Sequence, residues 1–83
     1  KQSQNNDELE SEKLFLQKFN TLSAREKQIL QLVLAGNATK EIAHQLDISA
    51  RTVEIHRTQI LKKMTSSSFL ELASQCTMHN VTF

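Results

Sequence analysis

Eighty-three residues with a formal net charge of +1, no proline, one glycine and one cysteine describe one small domain, which buries only about 60% of its unfolded surface. Such a chain has little room for a water-excluding catalytic cleft. Its lone Cys76 can form neither an internal disulfide nor a thiolate metal site, and no apolar run approaches the ~18 residues of a membrane span. So few turn-forming residues cannot punctuate a many-stranded β fold, and the composition predicts an all-α binding module of the cytoplasm rather than an enzyme. Because it begins at Lys1 rather than at methionine, it is expected to be part of a longer protein.

Residues Lys1 to Asn6 are rich in Gln, Asn and Ser and have nothing to bury, so they read as a tail. Asp7 with Glu10 makes a capping-box pattern, and Leu9, Leu14, Phe15, Leu16 and Phe19 give this segment a broad apolar side. A helix is predicted there. Being short, it needs something to dock on: the domain, a second copy, or a missing upstream domain. Ser23 and Glu26 repeat the capping pattern, Ile29, Leu30, Val33 and Leu34 recur at helical spacing, and Gly36 closes the run.

The segment Thr39 to Leu46 reads as a short helix burying Ile42, Ala43 and Leu46. Asp47-Ile48-Ser49 is then a tight turn, with Ile48 filling the angle and Ser49 capping the next helix. That helix, residues 50–64, sets Val53, Ile60, Leu61 and Met64 along one side and Arg51, Glu54, Ile55, Thr58 and Lys62 along the other. Ser68 with Glu71 opens a last helix from Phe69 to Met78, in which Phe69, Leu72 and Ala73 face the core and Leu70 or Cys76 is left outside.

Charge is unevenly placed. Residues 1–21 balance to −1, whereas residues 49–64 balance to +3 through Arg51, Arg57, Lys62 and Lys63 against Glu54. A phosphate-facing surface needs its cations gathered in this way. Two short helices joined by a three-residue turn, the second basic and braced by a preceding helix, make a helix-turn-helix. A groove-facing helix with polar side chains around the lone Ile55 also suits a floor where base edges and thymine methyls are exposed.

The motifs Leu22-Ser-Ala-Arg-Glu-Lys-Gln-Ile-Leu, Ala35-Gly, Lys40-Glu-Ile-Ala, Leu46-Asp-Ile-Ser, Thr52-Val-Glu-Ile-His-Arg and Ile60-Leu-Lys-Lys-Met resemble the LuxR-type helix-turn-helix at the carboxyl end of FixJ-like response regulators. The likeness runs over residues 19–76. It implies a four-helix, wingless helix-turn-helix domain over residues 21–80, a linker with a helix over 1–20, and a tail over 81–83. It further implies sequence-specific binding of double-stranded DNA by a homodimer, under control of a missing N-terminal receiver domain.

Carried over position by position, the resemblance places Thr39, Lys40, Arg51 and Thr52 on DNA phosphates, and Lys62, which points outward on its helix, is the further candidate for a backbone contact. The physics agrees for Lys40, since a helix amino end beside a cation attracts anions. Glu54, Ile55 and Thr58 match the positions that look into the major groove: Glu54 can accept from a cytosine amino group and Ile55 can lie on a thymine methyl. Many relatives carry lysine at the Glu54 position, so an acidic residue changes the base preference and weakens nonspecific attraction. Arg57 falls on the core side, where it either pairs with Glu26 or reaches a phosphate, and Lys63 lies on the flank. The family's usual Leu-Ser-Asn before the scaffold lysine is here Asn37-Ala38-Thr39, a departure at that helix's cap.

The dimer contact implied by the family lies on the last helix at Leu70, Ala73, Ser74 and Thr77. His56 beside the core reads as a packed side chain, and His44 and His79 as surface residues. No metal or cofactor is expected, because no carboxylate or thiolate partners stand at ligand spacing. The competing reading is a helix-turn-helix that mainly docks RNA polymerase or another protein, as region 4 of sigma factors does. An enzyme is the third class, and neither a nucleophile with its base nor a glycine-rich loop supports it.

Overall fold

A computed structural model describes residues 2–81 and 83, with side chains from Glu10 onward. Its elements are α1 (Gln2–Asn20), α2 (Ala24–Leu34), α3 (Thr39–Leu46), α4 (Ala50–Met64) and α5 (Phe69–Met78), with no strand among the described residues. The all-α expectation therefore holds. Helix α4 lies at the centre and packs against each of the other four.

Polar ends explain most boundaries. Ser23 Oγ accepts from the Glu26 amide at 3.1 Å while Glu26 Oε1 accepts from the Ser23 amide at 2.9 Å, closing a full capping box on α2. Ser49 Oγ accepts from the Thr52 amide at 3.0 Å to start α4, and Ser68 Oγ does the same for Glu71 at 3.1 Å to start α5. On α5 the return bond shifts by one residue: the Glu71 carboxylate accepts from the amide and hydroxyl of Ser67. Helix α3 has no polar cap side chain, and half a box replaces it, Glu41 Oε1 accepting from the Ala38 amide at 2.7 Å.

The helix ends share one device. A residue at positive φ, Gly36 (97°), Asp47 (55°), Thr65 (54°) or Asn80 (54°), follows α2, α3, α4 and α5 in turn. After each, paired amides reach back to the last carbonyls, as when the Gly36 amide bonds Val33 O and the Asn37 amide bonds Leu32 O.

Helix α1 departs from the sequence reading at its start. It begins at Gln2 rather than Asp7, and the Asp7 cap and the apolar Leu9 of the sequence reading lie outside the residues whose side chains are described. Once a helix is nucleated, each added residue gains a hydrogen bond, and the Gln-Ser-Gln-Asn-Asn stretch has no glycine or proline to stop it. Of the surfaces open to α1 it takes the domain itself, burying Phe15 and Phe19. Phe15 stacks on His79 with centroids 4.7 Å apart, so His79 is a half-buried packing residue and not a free surface histidine.

The core comprises Phe15, Phe19, Leu22, Ile29, Leu30, Ile42, Ala43, Val53, Ile60, Met64, Leu72 and Cys76, with Val33, Leu34, Leu46, Ile48, Leu61 and Phe69 packed partly exposed around it. Of the two α5 residues left open by the sequence, Cys76 turns inward and Leu70 outward, the latter 84% exposed. The chain end joins the core as well. Val81 packs against it and Phe83 meets Phe19 edge-on at 5.5 Å, so these residues do not hang free as a tail.

Candidate nucleic-acid interface

Helix α4 is held by its buried side, with Val53, Ile60 and Met64 in the core. The period of the helix then forces Arg51, Glu54, Ile55, Thr58 and Lys62 outward, and all five are exposed. Ile55 is half-exposed at 50%, an aliphatic side chain standing in a polar face. Burial of Ile42 and Ala43 holds α3 against α4, and Asp47 in the left-handed region makes the turn tight enough to bring the first turn of α3 beside that of α4.

At that junction the structure adds a contact that helical spacing does not reveal. Thr39 Oγ1 donates to Glu54 Oε2 at 2.8 Å across fifteen residues of chain. Residues assigned to different tasks, a phosphate contact and a base reader, are therefore bonded to each other. Thr58 is also engaged, its hydroxyl donating to the Glu54 carbonyl at 3.1 Å. With its proton so placed, this hydroxyl faces outward as an acceptor. Thr52 is half-buried and its hydroxyl lies 2.8 Å from that of Ser49, whereas Lys40 and Arg51 stand in solvent.

Glu26 finds a partner, but not the one expected. Lys63 Nζ meets Glu26 Oε1 at 2.8 Å, and Arg57 instead lies over the Phe69 ring at 4.7 Å from its centroid. Arg57 is half-buried there, so the Glu26 pairing open to it in the sequence is taken by the lysine. Arg57 and Lys63 both stand three residues from the buried Ile60, so spacing along α4 does not choose between them; the packing of α2 against α4 does. Burial pushes the Glu26 carboxyl up, but hydrogen bonds from Lys63 and the Ser23 amide, with the charges of Lys63 and His56, outweigh it and hold the group below its ordinary value.

Leu70, Ala73, Ser74 and Thr77 form one shallow concavity on α5 together with Met78. Sequence reasoning did not include Met78, which is 72% exposed. Among the described residues no group of three His, Cys, Asp or Glu side chains is placed to hold a metal ion. Cys76 is buried and its thiol is pushed up by that burial, the opposite of an activated nucleophile. Among the described residues no helix is long and apolar enough to cross a membrane.

A family model described as "Bacterial regulatory proteins, luxR family" matches residues 20–75. The transcriptional regulatory protein FixJ of Rhizobium meliloti (strain 1021) is 49% identical over 55 residues, covering 66% of this chain and 27% of that protein. The response regulator protein TmoT of Ectopseudomonas mendocina is 48% identical over 54 residues, covering 65% of this chain and 24% of the relative. The match thus spans about a quarter of the length of these two relatives. Among solved structures, full-length FixJ from B. japonicum superposes with a TM-score of 0.77 at 31% identity, over 90% of this chain and 38% of that one.

Proposed function

The chain belongs to the luxR family of bacterial regulatory proteins, a family of DNA-binding transcription regulators, and from that premise we propose how it engages DNA. It acts as the output domain of a response regulator, with α4 in the major groove of a specific site and α1 leading from an upstream receiver domain. Two copies joined through α5 read half-sites one helical turn, roughly 34 Å, apart. DNA binding and control by a receiver domain place it in the bacterial cytoplasm.

One observation carries this reading. The outward side of the braced helix α4 combines cations at its edges with acceptors and an aliphatic at its centre: Arg51 and Lys62 flank Glu54, Ile55 and Thr58. Arg51 and Lys62, with Lys40 and Thr52, hold phosphates, and a guanidinium suits a bidentate phosphate contact. Glu54 and Thr58 accept from exposed base amino groups, and Ile55 covers a thymine methyl. No step of this function needs a metal, a cofactor or a nucleophile.

The test is a titration of duplex DNA at several salt concentrations, after selecting bound sequences from a random pool. Arg51→Ala and Lys40→Ala are expected to weaken binding to every sequence and to lower the salt slope by about one each. Glu54→Ala and Thr58→Ala are expected to change preference at single positions by about 1–3 kcal/mol. Absence of any DNA binding at low salt sinks the proposal. Capture of RNA polymerase that survives high salt would favour the protein-docking alternative.

A further inference from the structure

Resting on the groove-reading function above, a further role comes from where the Thr39 proton goes. A hydroxyl has one hydrogen to give, and Thr39 gives it to Glu54 Oε2 at 2.8 Å. A hydrogen bond to a charged carboxylate is stronger than one between neutral groups, so a DNA phosphate has to compete for that proton against a closer anion. The carboxylate also repels a phosphate approaching Thr39 itself. Thr39 is therefore poorly placed to be a backbone anchor.

It is well placed to hold Glu54. A glutamate in solvent samples many rotamers and must give them up to contact a base. Here the side chain is already ordered from a neighbouring helix. Among the described residues no cation forms an ion pair with Glu54, and its other oxygen, Oε1, takes no hydrogen bond from another group. We propose that Thr39 is a positioning residue of the reading surface: by fixing Glu54 Oε2 it presents Oε1 to an exocyclic base amino group, cytosine N4 or adenine N6, and the Thr39–Glu54 pair sets discrimination at that base pair. Ordering the acceptor before DNA arrives lowers the cost of using it, and the gain appears only where an amino group is present to meet it.

The experiment selects duplexes from a random pool with the wild-type chain. It then measures binding of the selected duplex and of its single-pair variants by wild type, Thr39→Val, Thr39→Ser, Glu54→Ala and the double variant Thr39→Val/Glu54→Ala. Thr39→Val keeps the shape and removes the donor. It is expected to lower discrimination at one base pair by about threefold to tenfold, Thr39→Ser to restore it, and Thr39→Val to add nothing once Glu54 is alanine. The pair preferred at that position tells cytosine from adenine. Three results overturn the proposal: unchanged discrimination in Thr39→Val; a uniform loss on all duplexes with a shallower salt slope, the mark of a phosphate anchor; or a loss of discrimination that persists beside Glu54→Ala. Failure of the wild-type chain to bind any duplex is a separate result that removes the groove-reading function itself.

Discussion

Among the described residues Glu26 is the buried charged side chain, 5% exposed. Its carboxylate caps α2 through the Ser23 amide and takes Lys63 from the last turn of α4, so one buried group ties α2 to α4. The capping role was legible because its partner stands three residues away, whereas the Lys63 partner stands thirty-seven residues away. Its pH dependence comes from the lowered carboxyl. A group whose folded pKa is depressed adds stability above its unfolded value, near 4.3 for glutamate, and that stability is lost as pH falls through the folded value. Urea unfolding followed from pH 6 downward is expected to show a loss below about pH 4.3 that is shallower in Lys63→Met. At neutral pH that variant is expected to be less stable by about 1–2 kcal/mol, a figure held down because Lys63 is 37% exposed and screened. An equal acid loss in both proteins would show that Lys63 does not hold the Glu26 proton off.

At the scale of elements, the helices are set by their ends as much as by their faces. Serine caps at Ser23, Ser49 and Ser68 were readable in the sequence, because capping depends on neighbours within one turn. The left-handed residues after the helices were readable only at Gly36, where glycine announces the conformation. Thr65 could not be found this way. A β-branched residue is a poor choice for φ 54°, ψ 42°, and it stands where α4 must stop so that α5 can turn back across it. Thr65→Gly is expected to raise stability by about 1 kcal/mol, read as a higher urea midpoint, and Asp47→Gly by less because aspartate tolerates the left-handed region. No gain in Thr65→Gly would mean that the corner relieves its strain elsewhere.

Across the whole molecule, two surfaces of different make-up lie on α4 and α5: the exposed side of α4 with Arg51, Glu54, Ile55, Thr58 and Lys62, and the concavity of Leu70, Ala73, Ser74, Thr77 and Met78. Leu70 is 84% exposed, so Leu70→Glu leaves the fold intact. It is expected to give a monomer by sedimentation and to weaken binding to a duplex with two half-sites by about a hundredfold, with binding to a single half-site little changed. A wild-type chain that remains monomeric on a two-site duplex would remove the α5 contact from the proposal. The sequence by itself determined the all-α class, the α2–α5 boundaries and the inward Ile29, Leu30, Ile42, Val53, Ile60 and Leu72, because period and capping are local quantities. The packing of distant segments added that α1 docks on its own domain, that Val81 packs on the core and Phe83 meets Phe19, that Lys63 rather than Arg57 meets Glu26, and that Thr39 holds Glu54. Each of these turns on how two distant segments cross, and the crossing is set by the summed packing of the core and, for Thr39 and Glu54, by the left-handed corner at Asp47. The spacing of residues along one helix contains neither.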